Sequence, residues 1–148
     1  LIYSLLMSGI EKFLILLGYK GEIIEDRYKD ISTFSVAFSR GKVEEQTGRR
    51  LVNAYDQLSD HFLLVYGDNY WTLNLDDMWR FYQKQGTAIS TTIFSNKFGT
   101  GEYGLKNNIF VSVNNLVKGY DKTKEDSNSN GVDIGYFIIK KIDLKQFI

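Results

Sequence analysis

Phe62-Leu63-Leu64-Val65-Tyr66 is an apolar run that stops at Gly67-Asp68-Asn69. In an open α/β sheet, ligands bind beyond the carboxyl ends of the strands. A carboxylate in that place can hold Mg2+ and position substrate phosphates, and Gly67 lets the backbone turn tightly beside it. The bland alternative is that Asp68 and Asn69 form a turn or cap the next element.

Five further groups have chemistry to offer. Gly99-Thr100-Gly101-Glu102-Tyr103-Gly104 spells G-x-G-x-x-G. A dinucleotide site needs a helix after that motif, and a strand-like stretch follows it here, so a Rossmann cofactor site is rejected. A substrate-lining role for Tyr103 and Gly104 stays open. His61 is the single histidine, which removes His-pair metal sites and His-based triads with Cys; it reads as a surface residue. Arg49-Arg50 is either a phosphate contact at a helix start or, preferably, two solvated basic residues. Asp121-Lys122 could hold a sugar hydroxyl and a phosphate, or be an exposed charge pair. Asp133 stands inside an apolar strand, where Asp is disfavoured, so it faces solvent or points into a site.

These residues need elements to position them. Ile2, Leu5 and Leu6 share a helical face that Gly9 can end. Phe13 to Leu17 is a short strand, apolar on both faces. Gly21 to Tyr28 reads as a helix, Phe34 to Phe38 as a strand and Arg49 to Leu58 as a second helix. The strand ending at Tyr66 precedes a helix from Leu75 that Gly86 caps, and Ala88 to Phe94 is another strand. Short meandering strands follow at Tyr103 to Lys106, Ile109 to Val113 and Leu116 to Tyr120. Val132 to Ile139 is the last strand, and Asp143 is expected to cap a helix. The polar stretch from Lys124 to Gly131 reads as a solvated loop. Helices alternating with apolar strands predict a three-layer α/β fold around a mixed, mostly parallel sheet, with an antiparallel meander at one edge.

The 148 residues suit one domain, expected over 1–148. Net charge is zero, so no bulk basic field favours nucleic acid or an anionic membrane. The ten Tyr and ten Phe are not interleaved with a basic stripe. Cysteine is absent, which excludes disulfides and thiol nucleophiles and fits a reducing, cytoplasmic compartment. Usual composition would give roughly seven prolines, and there are none. The apolar start at Leu1 is interrupted by Gly9, Glu11 and Lys12, short of a membrane span. A chain opening inside such a run, without Met, is expected to be a fragment.

Taken in order, the segments resemble sugar-phosphate nucleotidyltransferases, which are nucleotide-sugar pyrophosphorylases. Leu1 to Glu22 is similar to that family's helix, Gly-hydrophobic step, strand and Gly-Tyr-x-Gly-acid turn. Thr47-Gly48-Arg49-Arg50-Leu51 resembles its Thr-Gly-Gly segment, and Phe62 to Asp68 its strand ending in Gly-Asp. Tyr103-Gly104 resembles its sugar-lining Tyr-Gly, and Asp121-Lys122 stands where Glu-Lys-Pro is usual. Val132 to Tyr136 resembles its Asn-x-Gly-hydrophobic-Tyr strand.

The resemblance implies a Rossmann-like nucleotidyltransferase fold, truncated at both ends. It also implies transfer of a nucleotidyl group from a nucleoside triphosphate to a sugar 1-phosphate, giving a nucleotide sugar and pyrophosphate for cell-surface polysaccharide synthesis. By position, Asp68 would be a catalytic Mg2+ ligand and Lys122 the catalytic cation. Gly48 would lie near the base or ribose, and Tyr103, Gly104 and Asp121 would contact the sugar phosphate. Gly67, Asn69 and Asp133 join them as substrate-binding positions. A homo-oligomer is left open; nucleic acid and membrane are not expected as partners.

Several positions depart from the pattern. Arg49 replaces the second glycine, Asp121 the Glu, Thr123 the Pro and Asp133 the Asn. The family's Gly-x-Gly-(Thr/Ser)-Arg loop is expected before Leu1 and a second metal-binding Asp after Ile148, so these 148 residues are expected not to turn over alone. The competing expectation is a non-catalytic, nucleotide-sugar-binding regulator of the same fold.

Overall fold

The computed structural model describes residues 1–96, 107–123 and 125–147. The chain divides into two compact units, Leu1–Phe62 with Lys140–Ile148, and Leu63–Ile139.

In the first unit, helix α1 (Ile2–Met7) turns its one buried side chain, Leu5, inward, and Gly9 takes the left-handed conformation just past it. Strand β1 (Lys12–Leu17) pairs in parallel with β2 (Ser35–Arg40), Lys12 opposite Ser35 and Leu17 opposite Arg40. Phe34 packs edge-on against Phe13 at 5.2 Å and Tyr3 at 6.3 Å, tying α1 to the sheet. Helix α2 (Gly21–Tyr28) approaches the strand closely: a Cβ on Gly21 would lie 2.8 Å from that of Leu17. An ion pair from Arg40 to Glu25 joins β2 to α2.

The helix expected over Arg49 to Leu58 is shorter and broken. It is α3 (Thr47–Asn53) followed by a 3-10 turn, Tyr55–Gln57. The Ala54 amide is shared between the carbonyls of Arg50 and Leu51, which tightens the chain out of α geometry. The helix expected to begin at Asp143 is instead a 3-10 helix, Lys141–Phe147, with Asp143 already in its first turn. Lys141 sets that start: its amide donates to Asp60 O at 2.8 Å and its ammonium to Leu58 O at 2.9 Å.

In the second unit, a five-stranded sheet runs β3-β7-β5-β6, with β4 also paired to β7. The strands are β3 (His61–Val65), β4 (Ile89–Ser95), β5 (Ile109–Val111), β6 (Val117–Tyr120) and β7 (Gly131–Lys140). Antiparallel pairing reaches beyond the meander, since β4 runs antiparallel to β7 with a bulge between Thr91 and Ile93. With the parallel β1–β2 pair, the chain is mixed α/β. Helix α4 (Leu75–Gln85) starts where Asn74 accepts the Asp77 amide and ends at left-handed Gly86. Its inner face lays Met78 and Tyr82 on the core, which centres on Ile109, Ile134 and the fully buried Tyr136.

Candidate functional site

The site begins with a hydrogen-bonded turn. The Asn69 amide donates back to Tyr66 O at 3.2 Å, so Asp68 is carried at the tip, just past the carboxyl end of β3, and is exposed. The turn does not depend on glycine as expected: Gly67 has no positive φ, and a Cβ there would meet open space. The turn is held to β7 instead. Asn69 Nδ2 donates to Ile134 O at 3.2 Å. The Tyr136 hydroxyl donates to Asn69 O at 3.2 Å and accepts from the Trp71 amide at 3.0 Å. Asn69 is thus engaged in fixing the loop that carries Asp68.

Asp133 faces the same end of this unit. It is half-buried; its Oδ1 accepts from the Gly135 amide at 2.8 Å and its Oδ2 from the Tyr120 hydroxyl at 3.3 Å. Burial raises its pKa against those two bonds. Among the described residues, the salt bridges include none to Asp133. Tyr66 feels both carboxylates: burial raises its phenol, and the charges of Asp133 and Asp68 raise it further. Tyr120 is raised by burial and then by Asp133. Asn108 joins the next loop to this group, its backbone oxygen accepting the Asp121 amide at 2.8 Å and its side-chain oxygen the Asp133 amide at 2.9 Å.

Asp121 has another occupation. Its Oδ1 accepts from the Thr123 amide and hydroxyl, at 2.8 and 2.7 Å, and its Oδ2 from the amides of Glu125 and Asp126, both at 2.8 Å. These bonds, the Thr123 hydroxyl's first, hold the carboxyl well below the usual range. Asp121 therefore organises its own loop, and Lys122 is exposed beside it. Tyr103, Gly104 and the rest of the G-x-G-x-x-G stretch lie outside the described residues. His61 opens β3 and is exposed.

In the first unit, Gly48 lies exposed in the first turn of α3, with open space where a Cβ would be. Arg50 is not the solvated residue preferred from sequence. Its guanidinium donates to Leu17 O at 2.7 Å, Lys42 O at 2.8 Å, Glu45 O at 2.9 Å and Val43 O at 3.2 Å. A Cβ on Gly18 would collide with that guanidinium, so Gly18 is the opening through which Arg50 reaches the end of β1.

Among the described residues no group of three or more His, Cys, Asp or Glu could hold a metal ion. A lone exposed carboxylate such as Asp68 still suits Mg2+, which takes one or two carboxylates and completes its shell from phosphates and water. No described helix is long and apolar enough to cross a membrane. Sequence reasoning passed over Tyr66, Tyr120, Asn108 and Tyr136. Tyr66 was available as the residue before Gly-Asp, whereas Asn108 and Tyr120 carry no local signal.

The fold is that of the Rossmann-like nucleotidyltransferases. The inositol-1-phosphate CTP transferase of T. maritima matches over 99% of this chain and 59% of its own, with TM-score 0.75 at 16% identity. HddC from Yersinia pseudotuberculosis matches over 99% of this chain and 63% of its own, with TM-score 0.77 at 17% identity. In sequence, the chain is similar to the sugar-1-phosphate nucleotidyltransferases. The probable glucose-1-phosphate cytidylyltransferase of Bacillus subtilis (strain 168) is 27% identical over 157 residues, 88% of this chain. The chain spans just over half of that relative's length, 57%. No family model matches the chain.

Proposed function

We propose that the chain is part of an enzyme that transfers a nucleotidyl group from a nucleoside triphosphate to a sugar 1-phosphate, serving polysaccharide precursor synthesis in the cytoplasm. The observation carrying this reading is the 27% identity to a glucose-1-phosphate cytidylyltransferase over 88% of the chain. The exposed Asp68 at the carboxyl end of β3 is consistent with it.

In this reaction an oxygen of the sugar phosphate attacks the α-phosphorus in line. The bond from that phosphorus to its bridging oxygen breaks, and pyrophosphate leaves. Catalysis is then positioning and charge stabilisation. Asp68 is the residue that would hold Mg2+, which supplies positive charge opposite the phosphates when bound. Lys122 contributes a mobile cation. Asn69 and Tyr136 keep the Asp68 turn rigid, and Asp133, between two phenols, accepts hydrogen bonds from the sugar. Gly48 lies near the base or ribose, and Gly67, Tyr103 and Gly104 line the substrates. Asp121 acts mainly by shaping the Lys122 loop.

The test compares these 148 residues with the chain extended in its own reading frame, using labelled triphosphates and a panel of sugar 1-phosphates. The extended chain should form nucleotide sugar and pyrophosphate, and the 148 residues alone should not. Asp68→Asn in the extended chain should lower the rate at least about a hundredfold, since charge stabilisation of this kind contributes several kcal/mol. An extended chain inert toward every pair, or indifferent to Asp68→Asn, would sink the reading.

A second reading, a non-catalytic regulator binding a nucleotide sugar, is favoured by the four internal bonds already made by Asp121. It predicts that the extended chain binds a nucleotide sugar without forming one.

A further inference from the structure

Asp133 is a half-buried carboxylate that its surroundings leave short of positive charge. Among the described residues no salt bridge reaches it, and burial outweighs its two hydrogen bonds in setting its proton affinity. A carboxylate taken partly out of water without a cation is costly, and a cation brought to it offsets that cost. Its lone pairs show the room that is left. Two carboxylate oxygens offer about four acceptor positions. The Gly135 amide occupies one on Oδ1 and the Tyr120 hydroxyl one on Oδ2. Tyr120, with its hydrogen committed to Asp133, has only oxygen lone pairs to turn toward an incoming group. Asp133 and Tyr120 together therefore present acceptors to a donor.

Two aromatic rings flank this pair of acceptors. Tyr120 closes β6 and is half exposed. Tyr66 comes from the other side of β7, just past the end of β3. The glycine at 135, two residues on from Asp133, admits its ring: a Cβ there would lie 2.8 Å from Tyr66 Cδ2. The charge of Asp133 reaches both phenols and adds to the effect of burial in raising them. All these residues lie within the one unit Leu63–Ile139. Negative charge set between phenols is the chemistry that recognises an ammonium group. Mg2+ suits it less, because that ion takes a full shell of oxygen ligands. No described group of three or more His, Cys, Asp or Glu could hold a metal.

We propose that Asp133, with Tyr120 and Tyr66, binds a protonated amino group of the sugar, so that the substrate is an amino sugar 1-phosphate rather than a neutral one. This rests on the nucleotidyl-transfer reading in one respect only: that reading supplies the sugar phosphate to which the amine is attached. A neutral hydroxyl on the same acceptors is the competing occupant.

Titration calorimetry on the chain extended in its own reading frame, at a pH where the amine is protonated, separates them. The probes are glucose 1-phosphate, glucosamine 1-phosphate and its isomers with the amine on each other ring carbon, and the N-acetyl derivative of each amine. One amine should bind at least about tenfold tighter than both its acetylated form and glucose 1-phosphate, the margin of a charge-assisted hydrogen bond over a neutral one. Acetylation removes the charge from the ligand, so this comparison needs no variant. Asp133→Asn, shown to be folded by urea unfolding, should abolish the preference. Three results would overturn the proposal: equal affinity across each set, no binding of any amine, or a preference that survives in folded Asp133→Asn. Binding requires no turnover. An amine preference without nucleotide-sugar formation would sink the transferase reading alone, and turnover of glucose 1-phosphate with no amine preference would sink this one alone.

Discussion

The ring of Tyr66 lies against the bare α-carbon of Gly135: a Cβ at 135 would be 2.8 Å from Tyr66 Cδ2 and 3.0 Å from its Cβ and Cγ. Gly135 also has φ +78, a conformation costly for any residue with a Cβ, and its carbonyl accepts the Tyr66 amide at 3.0 Å. The strand end that carries Asp68 is therefore seated on a glycine in the middle of β7. Gly135→Ala should destabilise the protein by about 2 to 4 kcal/mol, from backbone strain plus overpacking. Gly67→Ala and Gly48→Ala, with open space at the Cβ, should change stability by no more than about 0.5 kcal/mol. Urea unfolding of the three variants checks the contrast, and equal losses would refute it.

Tyr136 is fully buried, and its hydroxyl is the link between the Asn69 carbonyl and the Trp71 amide. Tyr136→Phe keeps the ring and leaves both backbone groups without that partner. Loss of a hydrogen bond to part-buried backbone groups costs about 1 kcal/mol. The loss should be local as well as global: exchange of the Trp71 amide should quicken more than that of β4. Unchanged exchange at Trp71 would mean that the loop is held by Asn69 alone.

What could be read from sequence followed local pattern. Gly21–Tyr28 is a helix as expected, and α4 ends at Gly86 as expected, because caps and periodicity are written in neighbouring residues. Mixed α/β architecture was likewise legible from alternating apolar runs. The break at Ala54 was not, since it depends on one amide shared between two carbonyls. Asp68 could be located at a strand end from its neighbours. The company around Asp133 could not, because Tyr66, Asn108 and Tyr120 reach it through sheet pairing across distant sequence. Asp121 shows the other limit: Thr123, Glu125 and Asp126 are adjacent in sequence, but their bonds to it become visible only once the loop is folded.

Sequence alone suggests a surface cation or phosphate contact at Arg50, and its four carbonyl partners make a different outcome testable. Arg50→Lys retains the charge but cannot reproduce a planar fork reaching Leu17, Lys42, Val43 and Glu45. It should cost about 2 kcal/mol or more. Gly18→Ala should do similar damage by obstructing the same guanidinium, and the double variant should lose less than the sum of the two. Full additivity would show that Gly18 and Arg50 act independently.

Two carboxylates should give the stability curve opposite slopes. Asp133 has a raised pKa in the folded protein, so above the ordinary Asp value, about 3.9, the native state binds more protons than the unfolded chain. Its contribution therefore falls as pH rises through that window, and the penalty is complete above the folded pKa. Asp133→Asn can keep the bond from the Gly135 amide while losing the charge. It should be at least as stable as the parent at pH 7, with the decline between pH 4 and 7 flattened. Asp121 is the reverse case. Its folded pKa is lowered, first by the Thr123 hydroxyl and then by the amides of Asp126, Thr123 and Glu125. Its stabilisation is complete above the ordinary value and is lost as pH falls toward the folded one. Asp121→Asn should weaken the loop at pH 7, seen as faster exchange at Glu125 and Asp126, and should remove the corresponding loss in acid. Unfolding measured from pH 2 to 8 for both variants checks the signs, and a parent-like slope between pH 4 and 7 in Asp133→Asn would assign that decline to other groups.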